Sequence, residues 1–354
     1  MKNKLKVLRE SRLAKKQKDE VAALPRITNE NVAEHREEIL SGARKYIYPL
    51  QHSKHRIVLL SISLLVASVL VFSASMVFLL YRRQSASSFV YQVTKVVPFP
   101  VARSGSTLIS YENYLFELRH YIHYYETQQQ LSFDTAFGRD QFNDYKRRAL
   151  EDVVNFAYIK KFASELGISV SDAEVDEQIR IAREQKRLGS SEDILEDVLK
   201  SYWNWTIDDF RRSLSHELLT QKVARALDPN TEARAKEALA RLQAGEDFAS
   251  VAKATTDDQA TKEQGGEFGE VNSSNRNVSQ QTVDRLLRTP VGQYSDIALV
   301  PYGPGYALEI VKNLEKTATG ARGARIIFQI SDLGIALNDR KEKEPYRLYI
   351  SLPK

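Results

Sequence analysis

The chain has 354 residues, 27% of them charged and 42% hydrophobic, a composition that is typical of a folded protein and excludes wholesale disorder. Its length accommodates two modest domains with additional segments. A net charge of +5 over this length gives no reason to predict a nucleic-acid partner. Cysteine is absent, which excludes disulfides, thiolate nucleophiles and cysteine-ligated zinc but does not fix the cellular compartment.

The first 56 residues (1–56) are basic at the start, mixed in charge later and poor in large apolar side chains. This composition predicts a largely disordered tail with one short helix near 31–44. Such a tail determines membrane topology in the simplest interpretation, and binding of anionic lipid headgroups is the alternative.

Residues 57–81 form an uncharged stretch that is closed by Arg56 on one side and by Arg82 and Arg83 on the other. As a helix rising about 1.5 Å per residue, the stretch covers the roughly 30 Å hydrocarbon core of a bilayer. A buried soluble helix is the alternative, but such helices are rarely apolar all round over this length. The stretch is too long and begins too late for a cleavable signal peptide, so it predicts an uncleaved transmembrane anchor in the lipid bilayer.

The basic residues before the apolar stretch predict the orientation of this single-pass anchor. Under the positive-inside rule they favour a cytoplasmic N-terminus for residues 1–56. The C-terminal domains are then expected to be extracytoplasmic.

Residues 82–106 are polar, then β-prone and finally interrupted by proline, which predicts a tether followed by a strand. Over residues 107–227 the apolar side chains recur at three- and four-residue steps, which predicts an all-helical module. Within it, Gly167 supplies a helix stop, and the segments Ser171–Glu174 and Thr206–Asp209 are typical of helix starts.

Residues 228–354 begin with the dipeptide Asp228-Pro229, which ends the preceding helical pattern, and combine two short helices with glycine-rich turns and β-prone runs. This pattern predicts a small α+β domain. The predicted fold class is therefore α+β, with a transmembrane helix, an all-helical module and a small domain that contains an antiparallel sheet.

The helical module carries three segments that resemble the N-terminal chaperone region of SurA/PrsA-type foldases. They are LISYENYLFELR (108–119), RRALEDVVNFAYIKKFASELGISVSDAEVDEQI (147–179) and WTIDDFRRSLSHELLTQKV (205–223). In that family a helix ending in A…GI.VSD.EV is followed by a second helix and then by FR..L…LL..K. The resemblance implies a SurA-like chaperone domain.

The C-terminal domain carries two segments that resemble parvulin-type (PpiC-type) peptidyl-prolyl isomerases. They are ARLQAGEDFASVAKATTDDQATKEQGGEFGEV (240–271) and TPVGQYSDIALVPYGPGYALEIVK (289–312). The resemblance implies an apolar pocket for the proline ring beneath a polar network of two histidines and a cysteine or aspartate. It places Asp258 at the cysteine or aspartate position and Phe268 at the first pocket position, and these are the catalytic candidates.

Other positions depart from the parvulin pattern. Ala307 stands where the second histidine is expected, and the pocket methionine and phenylalanine fall near Arg276 and Gln280. None of the six histidines lies within residues 217–354. We therefore expect the fold to survive while the catalytic network is lost.

The opening strand of the family, of the type ARHIL, has no counterpart before the helix near Thr231. The segment GARIIFQI (323–330) has the character of that strand and places Ile326 at the position of the first histidine. Because the first and last strands of a parvulin sheet are neighbours, this segment is a candidate replacement for the missing strand. The domain would then be circularly permuted.

Five aromatic residues are the candidates for contact with client polypeptides: Tyr114, Phe116, Tyr202, Trp203 and Trp205. The last three form either a core corner between helices or part of a binding groove, and the helix start that follows at once favours the core.

Glu117, His120 and His123 share a helical face that is suited to a metal. They lie among tyrosines, and a solvated helix face is the favoured interpretation. No metal and no cofactor are predicted.

These features predict a membrane-anchored extracytoplasmic chaperone that holds unfolded or newly exported polypeptides. Two alternatives remain: an active peptidyl-prolyl isomerase, and an envelope assembly or docking protein without chaperone activity. A prolyl-peptide assay distinguishes the first alternative, and an aggregation-suppression assay distinguishes the second.

Overall fold

The computed structural model describes residues 10–19, 28–47, 50–184, 192–272, 274 and 278–352. The chain divides into two compact units, Met1–Val77 and Phe78–Lys354. The predicted pocket position Arg276 lies outside the described residues.

The first unit is helical along nearly all of its described residues. Residues 10–19 form α1, Asn29–Ile47 form α2 and Leu50–Val77 form α3. α2 includes the short helix that was predicted near 31–44, but α1 is helical in a tail predicted to be largely disordered. The described side chains of α1 and α2 are almost all exposed, so these two helices depend on their own backbone hydrogen bonds.

The apolar stretch is helical as predicted. The helix Arg56–Arg82, which includes a short π-helical turn at Phe78–Arg82, is 27 residues long and is long and apolar enough to cross a membrane. Most of its apolar side chains lie exposed, as at Leu64, which is 73% exposed, whereas Met76 and Leu80 near its end are buried. Ser63 and Ser68 each donate to the carbonyl three residues earlier, so these hydroxyls are satisfied within the helix.

The second unit begins with a helical module. α5 packs against α6, and Tyr111, Leu115 and Leu118 of α5 are fully buried. Val154 and Tyr158 of α6 are also buried. α6 also packs against α9, which closes the core of the module. The helices are α4 (Ser88–Val96), α5 (Tyr111–Thr127), α6 (Ala136–Leu166), α7 (Asp172–Glu184), α8 (Glu192–Trp203) and α9 (Ile207–Leu227).

The helix ends in this module follow the local signals. Gly167 ends α6 in the left-handed conformation with φ +66°, which a residue without Cβ adopts at low cost. Thr206 and Asp209 form a reciprocal capping box at the start of α9. At the start of α7, Glu174 accepts from the Ser171 backbone N–H at 2.9 Å. The three signals read from the sequence are confirmed.

A small antiparallel sheet joins the two ends of the second unit. β1 (Pro100–Ser104) pairs with β2 (Thr107–Ser110) on one side and with β7 (Tyr346–Leu348) on the other. α13 (Leu333–Lys343), which precedes β7, packs against α6. The C-terminal segment therefore packs with the helical module, whereas the sequence-based boundaries assign all of 228–354 to the C-terminal domain. Because β1 and β7 lie far apart in the sequence, neither strand carries a local signal that predicts their pairing.

The C-terminal domain is built on a four-stranded antiparallel sheet with the order β3-β6-β5-β4. α10 and α11 pack on one face of this sheet and α12 on the other. β6 is internal, paired with β5 on one side and with β3 on the other. The elements are α10 (Pro229–Gln243), α11 (Phe248–Thr255), β3 (Glu267–Val271), α12 (Gln280–Arg288), β4 (Ala298–Tyr302), β5 (Gly305–Lys316) and β6 (Ala321–Gln329).

Candidate functional site

The two faces of the sheet carry different chemistry. Leu308 and Ile310 of β5 join the apolar core against α10 and α11. Glu309 lies between them and alternates to the opposite face. Val311, on that same face, is directly opposite Arg325 of β6. The α12 side of the sheet therefore carries a carboxyl group and a guanidinium group in its interior.

The loop after α11 brings Asp258 to this face of the sheet. Next to it, the backbone N–H of Asp257 donates to the Ile327 carbonyl of β6 at 2.7 Å. The loop ends at Gly266, where φ is +85° and a Cβ would lie 2.2 Å from the Arg325 carbonyl oxygen. Only glycine permits so close an approach, which explains the Gly265-Gly266 pair of the motif.

Asp258 is 3% exposed, and a neighbouring cation holds its carboxylate. Its Oδ2 accepts from Arg325 Nε at 3.0 Å, from Arg325 Nη2 at 2.7 Å and from Thr261 Oγ1 at 3.0 Å. Its Oδ1 accepts from the Ala260 backbone N–H at 3.2 Å. An ionised carboxylate only accepts hydrogen bonds, so this group offers no donor to a substrate carbonyl.

Glu309 is a second buried carboxyl group, with no exposed surface. Each of its oxygens lies 3.0 Å from Thr282 Oγ1, and Oε1 lies 4.0 Å from Arg325 Nη1. Burial raises the pKa of Glu309 to about 7, against the lowering influence of Arg325 and of the Thr282 hydroxyl. The carboxyl group is therefore partly protonated at neutral pH, and Arg325 is the cation that both acidic groups face.

Two aromatic rings flank this cation. The guanidinium carbon of Arg325 lies 5.4 Å from the Phe268 ring centroid and 5.7 Å from that of Tyr302, within cation–π range. Burial, and then the charge of Asp258, raise the pKa of Tyr302, so its phenol stays protonated. The structure thus brings the candidates Asp258 and Phe268 together, and Arg325 contacts both.

The sheet face beside this cluster is apolar, and it includes Ala307, the position at which the sequence comparison expected the second histidine. Ala307 and Ile327 are both fully buried and pack with Val300 of β4. The sequence comparison put Ile326 at the first histidine position, but in the structure Ile326 lies in the core against α10 and α11. Neighbouring residues of a strand face opposite sides, so Ile327 is the residue that faces the site. Gln280, the other predicted pocket position, begins α12 and donates to Asp284 at 3.2 Å.

The sequence interpretation missed Arg325, Glu309, Thr282 and Tyr302. One signal was available, since a charged residue inside an apolar strand requires a partner. Glu309 stands in the run YALEIVK and Arg325 in the run GARIIFQI.

The aromatic candidates for client contact divide into two groups. Tyr114 is fully buried and Phe116 is 4% exposed, stacked on Trp205 with centroids 5.4 Å apart, so these side chains are core residues in this conformation. Trp203 lies 5.6 Å from Trp205 and is half-buried. Tyr202 is 43% exposed and is the most accessible of the five.

The face with Glu117, His120 and His123 has protein partners of its own. His123 Nε2 lies 3.0 Å from the Ser201 carbonyl oxygen, and His120 Nδ1 lies 3.9 Å from the Glu117 carboxylate. Among the residues that the structure describes, no group of three or more His, Cys, Asp or Glu side chains is placed to hold a metal ion.

A cleft of about 650 Å³ lies between the helical module and the C-terminal domain. α7 and α9 contribute Gln178 and Gln221 to one wall. α12 contributes Arg285 and Arg288 to the other, and Leu299 lies beside them. Asp284 and Asp296 also line the cleft, so the lining mixes amide, cationic, anionic and apolar groups, which suits contact with a polypeptide of varied sequence.

The second unit consists of a helical module joined to an antiparallel α+β domain, and a known family matches each of these two parts. The SurA-like N-terminal domain matches residues 50–224, and the PPIC-type PPIASE domain matches residues 216–313. This protein therefore joins a SurA-like N-terminal domain to a PPIC-type domain.

A curated relative, the foldase protein PrsA of Clostridium acetobutylicum, is 29% identical over 124 residues. The match covers 35% of this chain and 34% of the relative, so the chain spans about a third of the length of that relative.

Two solved structures are also similar. The peptidylprolyl isomerase PrsA of Bacillus anthracis has 19% identity and a TM-score of 0.18, over 55% of this chain and 85% of the other. The foldase protein PrsA of Streptococcus pneumoniae has 22% identity and a TM-score of 0.18, over 55% of this chain and 74% of the other.

Proposed function

We propose that this protein is a membrane-anchored, extracytoplasmic foldase that holds unfolded exported polypeptides and does not isomerise prolyl bonds. The ion pair between Arg325 and Asp258, in a C-terminal domain (228–354) that contains no histidine, is the observation that carries this proposal. The SurA-like and PPIC-type matches support a foldase, and the apolar helix Arg56–Arg82 supports an anchor.

The chemistry of prolyl isomerisation explains why the ion pair matters. Rotation about the X-Pro bond faces a barrier of about 18–20 kcal/mol, and a catalyst lowers it with an apolar pocket and hydrogen-bond donors placed over the twisted imide. Here Asp258 is an acceptor held by Arg325, and Glu309 is fully buried. Ala307, at the expected position of the second histidine, and Ile327, which faces the site from β6, offer no polar group there.

The proposal includes a circularly permuted sheet. The PPIC-type match ends at residue 313, yet β6 (Ala321–Gln329) lies beyond it and occupies an internal place between β5 and β3. Helix α9 (Ile207–Leu227) stands directly before α10, where the family has its first strand. β6 then fills the place of that strand from the C-terminal side.

Client binding is assigned to the helical module and to the cleft beside it. Tyr202 and Trp203 are two accessible aromatic side chains of the module, and Gln178, Gln221 and Arg288 supply polar contacts along the cleft. Several weak contacts of this kind hold an extended chain without fixing its sequence.

Aggregation suppression tests the holding role. The full-length protein, reconstituted in vesicles, is mixed with a chemically denatured test enzyme, and light scattering is followed as the denaturant is diluted. We expect stoichiometric suppression that weakens in Tyr202→Ala, because this change removes an accessible aromatic contact. Tyr349→Ala is the matched control, since Tyr349 is 38% exposed and lies near β7. No suppression at about a tenfold molar excess would contradict the holding role and favour a docking protein.

A further inference from the structure

Helix α4 carries an apolar stripe on the side that faces away from the module. Its inner side buries Val90, Tyr91 and Thr94. On its outer side Phe89 is 61% exposed and Val96 is 82% exposed. The stripe consists of Phe89, Val93 and Val96, at positions i, i+4 and i+7 of one helix face, and of Val97, the C-cap residue directly after the helix.

The stripe is held rigidly in the second unit. The Arg119 guanidinium donates to the Ala86 carbonyl at 2.6 Å and to Ser88 Oγ at 3.0 Å, which fixes the start of α4 on α5. The Tyr111 hydroxyl donates to the Leu80 carbonyl at 2.6 Å, so residues shortly before α4 are fixed as well. Exposed apolar side chains on a helix held in this way call for a partner outside the second unit.

The chain itself indicates what that partner is. Only five residues, 83–87, separate Arg82 at the end of the apolar helix from Ser88 at the start of α4. At about 3.5 Å per residue, α4 begins within roughly 20 Å of the end of that helix.

Charge points to the same partner. The segment 78–99 contains Arg82, Arg83 and Lys95 and no acidic residue, and all three basic side chains are exposed. Basic residues beside an exposed apolar stripe match an anionic lipid surface.

We infer that the stripe of α4 inserts into the surface of an anionic bilayer, so that the helical module lies against the membrane instead of moving freely above it. This inference rests on the proposed membrane anchor. Phe89 and Val96 enter the boundary between headgroups and acyl chains, and Lys95 and the two arginines contact the headgroups. The client-binding module is thereby held at a fixed orientation to the bilayer.

The absence of cysteine makes a direct test possible. Phe89→Cys and Val96→Cys are labelled with a fluorophore in the full-length protein, reconstituted in phosphatidylcholine–phosphatidylglycerol vesicles whose acyl chains carry a quencher. Leu64→Cys, inside the apolar helix, serves as the positive control. Val291→Cys, 55% exposed on a turn of the C-terminal domain, is the matched aqueous control.

We expect quenching at positions 89 and 96 at least about fivefold above that at position 291, because only the stripe reaches the acyl chains. With the fluorophore at Gln92→Cys, the double change Phe89→Ser and Val96→Ser should abolish quenching. If the label at position 64 is quenched while the labels at positions 89 and 96 remain in water, this inference is overturned and the anchor is left intact. An unquenched Leu64 would overturn both. If the labels at positions 89 and 96 are shielded from water only when unfolded polypeptide is added, the stripe binds a client. If they are shielded only at high protein concentration, the stripe binds a second copy of the chain. Either result would overturn the inference.

Discussion

Truncation of the chain after Lys316 is expected to unfold the C-terminal domain, because it removes β6 from the interior of the four-stranded sheet. The backbone groups of both neighbouring strands lose their partners along this line. The loss also removes Ile326, Ile327 and Phe328, each with no exposed surface. At about 2–5 kcal/mol for each large apolar side chain, the loss from these three residues alone is about as large as the roughly 5–15 kcal/mol that a domain of this size has in total.

The matched control is truncation after Ser331, which keeps β6 and removes α13 and β7. It also keeps the hydrogen bonds from Ser331 to Asp228 at the start of α10. Since α13 and β7 pack with the helical module, the four-stranded sheet should persist. Hydrogen exchange at residues 308–311 distinguishes the two truncations. Slow exchange at these amides after truncation at Lys316 would contradict the internal place of β6.

Removal of either partner of the buried ion pair is expected to cost about 3–5 kcal/mol of unfolding free energy. The side chains of Asp258 and Arg325 are 4% and 12% exposed, so Asp258→Ala leaves a buried guanidinium without its main partner. Chemical denaturation with a probe in the C-terminal domain measures the effect.

Two further variants sharpen this test. Arg322→Ala removes an arginine of the same strand whose side chain is 46% exposed and is paired with Glu267 and Glu315, and it should cost less than about 1 kcal/mol. The double change Asp258→Leu and Arg325→Met should recover much of the loss, because Glu309 with its raised pKa can remain neutral in an apolar setting. If Arg322→Ala and Arg325→Ala lower the unfolding free energy equally, the pair of Asp258 and Arg325 is not a buried structural contact.

Local signals in the sequence predicted much of the fold. The left-handed glycine at Gly167 and the cap at Thr206 each act over a few residues, and both appear in the structure as predicted. The apolar helix could be predicted from the composition of residues 57–81 alone. Segment 323–330 was recognisable as a strand because three large apolar residues follow one another in it, and β6 covers most of it.

Contacts between distant segments could not be predicted in the same way. β7 pairs with β1 across most of the chain, and neither strand carries a signal that names the other. Asp258 was identified from a motif, but its partner Arg325 lies 67 residues further along and outside the matched pattern. The face occupied by Ile327 depends on strand register, where a shift of one residue exchanges the two sides of a sheet.

The ion pair also changes how activity should be tested. Because Asp258→Ala is expected to destabilise the domain, a loss of activity in that variant would not by itself identify a catalytic carboxylate. Tyr302→Phe is a better variant for this purpose. It removes the protonated hydroxyl at the rim of the site and keeps the ring beside Arg325.

The cis-to-trans rate of short X-Pro peptides in the presence of the full-length reconstituted protein tests the central claim most directly. We expect a rate equal to the uncatalysed one, which has a half-time of tens to hundreds of seconds, while aggregation of the denatured enzyme is still suppressed. A robust acceleration by the wild-type protein that collapses in Tyr302→Phe, with the fold intact, would contradict it.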